Sequence, residues 1–107
     1  MQVEAGSLDE ALAQLEWAKT ATEDQALISV ISFRLARLKA EQGEFDAAVS
    51  ELAAINDESW AGRVAELKGD ILLRKGDAEG AYAAYTEAQQ ADDASQTIQM
   101  KLDDLAK

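Results

Sequence analysis

The sequence predicts an all-α fold made of antiparallel helical hairpins, and three observations carry that expectation. Ala, Leu, Glu and Gln recur through all 107 residues and proline is absent, so helix formers abound and helix breakers are few. A layout of small and large residues also returns along the chain, as GSLDEALAQLEWA from Gly6, GEFDAAVSELAAI from Gly43 and GDAEGAYAAYTEA from Gly76. In each copy an alanine stands five places after the glycine (Ala11, Ala48, Ala81) and a bulky residue nine places after (Leu15, Leu52, Tyr85). Twelve places after come Ala18, Ile55 and Ala88. These offsets differ by four and three, the spacing of one helix face.

Taken in order, the elements follow from these marks. The first helix is expected near residues 8–20, with Ser7-x-x-Glu10 as a capping box. Thr22-x-x-Gln25 opens a second helix near 24–42, whose apolar stripe is Leu27, Ile31, Leu35 and Leu38. Gly43 ends it by allowing a turn that a β-carbon resists, and a third helix runs near 45–55. The pattern repeats with a helix near 59–75 carrying Val64, Leu67, Ile71 and Leu72, a corner at Gly76 and a helix near 78–91. Small residues seven places before two of the glycines, Ala36 and Gly69, face the alanines five places after and let paired helices approach closely. A last helix near 94–106, capped by Asp93-x-x-Gln96, presents Ile98, Leu102 and Leu105 on one stripe and reads as a C-terminal capping helix.

A helix-turn-helix unit of 33 to 37 residues with this small–large–small signature resembles the tetratricopeptide repeat, or TPR. The third copy fits best, through Gly69, Gly76, Ala81, Tyr85 and Ala88. The second keeps Ala36, Gly43, Phe45 and Ala48 but has Leu52 and Ile55 where the family has an aromatic residue and alanine. The resemblance implies a TPR-like α-solenoid forming a single domain over 1–107. Residues 1–20 are its incomplete first repeat, 24–55 the second, 59–91 the third and 94–106 the cap. Residues 1–5 are too few for a first helix, so either upstream residues or a second copy of the chain is expected to cover helix 8–20.

Composition narrows the function. Without histidine or cysteine, the commonest metal ligand, the usual acid–base group near neutral pH and all thiol chemistry are missing. The net charge of −11 disfavours nucleic acid and anionic lipid, whose binding draws on clustered Lys and Arg. Asp92-Asp93 and Asp103-Asp104 lack a glycine-centred calcium loop, and GDAEG lacks the lysine and hydroxyl of a phosphate loop. The expectation is a non-enzymatic chain with no cofactor and no metal.

Between residues 33 and 105 a narrower likeness emerges. FRLARL at 33–38, the tryptophan of ESWAGRVAELKGDILLRKGD at 58–77, the AY segment after it and IQMKLDDL at 98–105 resemble the periplasmic TPR domain of YfgM-type ancillary subunits of the bacterial Sec translocon. That resemblance implies an inner-membrane anchor outside this chain and a periplasmic domain. Its implied protein partners are the SecYEG channel and a periplasmic chaperone of the prolyl-isomerase-like type. A cytoplasmic adaptor or a self-associating scaffold is the alternative.

In a TPR the first helix of each hairpin lines a groove. Counting back from the glycines projects Val30, Phe33, Arg37 and Glu41 from one repeat and Arg63, Glu66, Asp70 and Arg74 from the next, with Leu73 as a further apolar contact. The arginines suit carboxylates, which a guanidinium grips with two hydrogen bonds. The plainer reading pairs them with Glu41, Glu66 and Asp70 on the same surface. The lysine–asparagine clamp of some TPR proteins is not reproduced, since Phe33 and Arg37, then Arg63 and Leu67, occupy its places. Trp60 reads as a packing wedge between repeats. Trp17 lies off the Ala11–Leu15–Ala18 seam and is the residue expected to meet a second copy in a homodimer.

Overall fold

The computed structural model describes the backbone of residues 5–105 and the side chains of residues 10–105. Its elements are α1 (Ala5–Ala21), α2 (Gln25–Glu41), α3 (Phe45–Ala53), a 3-10 turn (Glu58–Trp60), α4 (Ala61–Lys75), α5 (Ala78–Gln89) and α6 (Ile98–Leu105). No strand occurs among the described residues. The fold is all-α, and it divides into two compact units, Met1–Ala54 and Ile55–Lys107.

Both units turn their hairpins in the same way. Gly43 and Gly76 hold φ of +82° and +97°, the left-handed region where a β-carbon is strained. At the first corner the Glu44 amide donates to the Lys39 carbonyl (2.9 Å) and at the second the Asp77 amide donates to the Leu72 carbonyl (2.8 Å). This six-residue closure satisfies a carbonyl that the helix end leaves open. Gly6 is different: it lies inside α1, as does Ser7, so this helix starts before the expected residue 8 and the expected capping box does not mark its start. The Ala-, Leu- and Glu-rich run carries the helix through the glycine.

In the first unit α2 packs against both α1 and α3. Its inner face buries Ile31, Leu35, Ala36 and Ala40, and α3 buries Ala48 and Leu52. The expected stripe frays at its ends, since Leu27 is 45% exposed and Leu38 half-buried. Ser32 is fully buried and its Oγ has no hydrogen-bond partner. Asp24, rather than Thr22, caps α2: its carboxylate accepts from the Ala26 and Leu27 amides at 3.0 and 3.4 Å. Thr22 Oγ1 accepts from the Asp24 amide, one step outside the helix. A charged acceptor beside the free amides of the first turn is the stronger cap.

In the second unit α5 packs between α4 and α6 around Ala65, Ala81, Tyr85, Ala88, Ile98 and Leu102. Gly69 is the close-approach point, but the group it admits is the Tyr85 ring rather than Ala81. A β-carbon at Gly69 would stand 2.5 Å from Tyr85 Cε1. The cap helix begins at Ile98, four residues later than the sequence suggests, because Asp93 does not cap it. The Asp93 carboxylate instead accepts from the Gly62 amide (2.6 Å) and the Arg63 amide (3.2 Å), closing the N-terminus of α4 from thirty residues downstream. Likewise α5 ends at Gln89 and α3 at Ala53, short of the expected 91 and 55.

Candidate functional site: a groove and two ionic latches

The groove of the first unit lies where α2 meets α1. The half-buried Ala11, Leu15 and Leu38 form its floor, while exposed Arg34, Arg37 and Glu41 edge it, with Gln14 beside them. Its volume is about 480 Å³. Of the candidate contact residues on α2 only Arg37 and Glu41 line it. Val30 and Phe33, both half-buried, stand outside its lining. Arg34 is the residue the reading missed, although it sits three places before Arg37 and so shares its helix face.

Ion pairs hold the three helices of this unit together. Glu51 on α3 accepts from Lys19 of α1 (2.9 Å) and from Lys39 of α2 (3.1 Å), and Lys39 also lies 3.8 Å from Glu16. Burial pushes the Glu51 carboxyl up, but the hydrogen bonds from the two lysines outweigh it and hold the group below its ordinary value.

The second unit has its own latch. Lys101 of α6 donates to Glu66 at 2.7 Å and to both Asp70 oxygens at 3.0 and 3.1 Å, and its ammonium stands 5.6 Å from the Tyr85 ring centroid. The Tyr85 hydroxyl donates to Asp70 at 2.5 Å. Burial first, then the bond to Asp70, raises the Tyr85 phenol. Lys101 is raised as well, because its two carboxylate partners outweigh its burial. Glu66 and Asp70 therefore share a lysine partner from within their own unit, one that the plainer sequence reading did not assign to them.

The remaining candidates of this unit separate. Arg63 stacks over the Trp60 ring, 4.9 Å from its centroid, with its Nε 3.8 Å from Asp93. Leu73 and Arg74 are exposed in the last turn of α4. Trp17, on α1, is 72% exposed. Among the described residues no group of three acidic side chains is placed to hold a metal ion. No described helix is long and apolar enough to cross a membrane.

Left-handed glycine corners with small-residue contacts behind them make this a helical-repeat protein. The family model for "Tetratricopeptide repeat-like domain" matches residues 1–107, and the chain belongs to that family. It is 38% identical over 107 residues to the ancillary SecYEG translocon subunit of Escherichia coli strain K12, a match covering 97% of this chain and 52% of the relative. The protein of the same name from Haemophilus influenzae is 36% identical over 87% of this chain and 47% of its own length. That from Aggregatibacter actinomycetemcomitans is 36% identical over 85% of this chain and 46% of its own length. The chain thus spans about half the length of these relatives. No solved structure matches it significantly.

Proposed function

We propose that the chain is a non-enzymatic protein-interaction module of an ancillary Sec translocon subunit, placed on the periplasmic side and held at the inner membrane by a segment outside these residues. The observation that carries the reading is the similarity to ancillary SecYEG translocon subunits over nearly the whole chain. Its proposed partners are the SecYEG channel and a periplasmic chaperone of the prolyl-isomerase-like type, bound through α2 and α4 residues such as Phe33, Arg37, Arg63, Glu66, Asp70, Leu73 and Arg74. The absence of histidine and cysteine supports a binding role over catalysis. To test it, the chain is fused to an inner-membrane anchor that displays it in the periplasm and is purified in mild detergent. SecYEG is expected to copurify, and the chaperone with it. Recovery no greater than with an anchored unrelated helical domain removes the translocon role; recovery of the channel alone removes the chaperone.

The exposure of Trp17 favours a second reading, self-association through α1. Light scattering separates the two, since a dimer built on this face becomes monomeric in Trp17→Ala, whereas a chain already monomeric at high concentration rejects it.

A further inference from the structure

We infer that the α1–α2 groove docks a short acidic and apolar helical segment of a protein partner, with its carboxylates held by Arg34 and Arg37. This rests on the reading of the chain as a protein-interaction module and specifies the chemistry of what it binds. The charge balance carries it. With 21 acidic residues to 10 basic ones, a cation on this chain meets a surplus of carboxylates, and the neighbouring lysines do pair: Lys19 and Lys39 both reach Glu51. Arg34 and Arg37, both exposed, make no ion pair with any described residue. Glu41 stands one turn beyond Arg37, but arginine before glutamate is the weaker order for a helical pair, and that bond is not made.

Two guanidiniums that make no ion pair with a described residue, set beside an apolar floor, are suited to an amphipathic segment. Three residues apart, they rise about 4.5 Å along α2, which matches carboxylates three or four apart on a facing helix. Each can bind a carboxylate through two hydrogen bonds, while a leucine-like side chain covers Ala11, Leu15 and Leu38. Glu41 lies about 10 Å along the helix from Arg34 and repels an acid at its end, so the partner's carboxylates lie toward Arg34. A long polyanion would meet the carboxylate surplus beyond the groove. A short segment does not, because charges more than about 8 Å away are largely screened at physiological salt while bonds in direct contact persist.

The test is selection of a random dodecapeptide phage library on the immobilised chain at about 150 mM salt. Enriched peptides are expected to carry acids three or four apart beside leucine, isoleucine or methionine. A synthetic copy of the best should shift the amide resonances of residues 11–15 and 34–41. Its affinity should fall about tenfold or more in Arg34→Glu/Arg37→Glu, the loss of at least one charge-assisted bond, while circular dichroism shows unchanged helix content. Peptides without an acid excess, no enrichment, shifts elsewhere or equal affinity for the variant would each overturn the inference. So would a sedimenting dimer that the double variant dissolves, which makes a second copy the occupant. If peptide selection succeeds while translocon copurification fails, the groove stands and the cellular role falls; the opposite result removes the groove alone.

Discussion

Replacing Lys101 with methionine keeps the apolar stem and removes the charge. It takes away three contacts to Glu66 and Asp70 between 2.7 and 3.1 Å and the cation beside the Tyr85 ring. A charge-assisted bond contributes roughly 1.5–3 kcal/mol when buried and an exposed pair roughly 0–1. The side chains of Lys101 and Asp70 are 31% and 39% exposed, so the Asp70 contacts belong near the lower range. Glu66, at 18%, loses a partner it cannot fully replace with water. The expected loss is about 2 kcal/mol. Urea unfolding in a Trp17→Phe background lets Trp60, the other tryptophan, report the second unit. With a slope near 1 kcal/mol per molar for so small a unit, the midpoint should fall by more than about 1 M. A double-mutant cycle with Glu66→Gln should recover about 1 kcal/mol of coupling. A loss below about 0.5 kcal/mol, or strictly additive single effects, refutes the latch.

Gly69→Ala should destabilise the second unit by about 2 kcal/mol, because the new methyl meets the Tyr85 ring at 2.5 Å and that ring is both buried and tethered to Asp70. An unchanged thermal midpoint contradicts the close approach. Ser32→Ala should stabilise the first unit by about 1 kcal/mol, since it removes a buried hydroxyl that has no partner; a lower urea midpoint means that the hydroxyl has a partner after all. For pH, the folded Glu51 carboxyl lies below its ordinary value of 4.5, so its contribution is complete above that pH and is lost as pH falls through the folded value. Thermal melts between pH 6 and 3 should show this acid loss reduced in Glu51→Gln. Lys101 and Tyr85 have the opposite sign: both are raised, so the second unit loses stability as pH climbs past 10.

The corners at Gly43 and Gly76 were legible because a left-handed turn demands glycine, and the seams because Ala36, Ala48 and Ala81 recur at helical spacing. Asp93 was misread for a physical reason. A capping rule looks three residues ahead, whereas this carboxylate serves amides thirty residues behind it. Lys101 was invisible in the same way: its partners lie 35 and 31 positions upstream, and a single lysine on a short polar helix reads as solvated. Arg34 escaped because counting inward from Gly43 selects the row Val30, Phe33, Arg37 and Glu41. Knowing that Arg34 shares a groove with α1 requires knowing which flank of α2 that helix leaves open. The glycine corners and small-residue seams were therefore readable, and pairings across helices were not.

Those cross-helix pairings divide the labour among the cations. Lys19 and Lys39 converge on one carboxylate in the first unit, and Lys101 spans two in the second, so lysines tie helices together within each unit. A flexible ammonium with three donors suits such a knot. Arg34 and Arg37 make no ion pair with a described residue. Charge on the same helix should then act in two separable ways: Lys39→Met should lower the urea midpoint of the first unit and spare peptide binding, while Arg34→Glu/Arg37→Glu should do the reverse. Were the arginine variant to lose stability as much as the lysine variant, the groove cations would belong to the scaffold, and their availability to a partner would have to be given up.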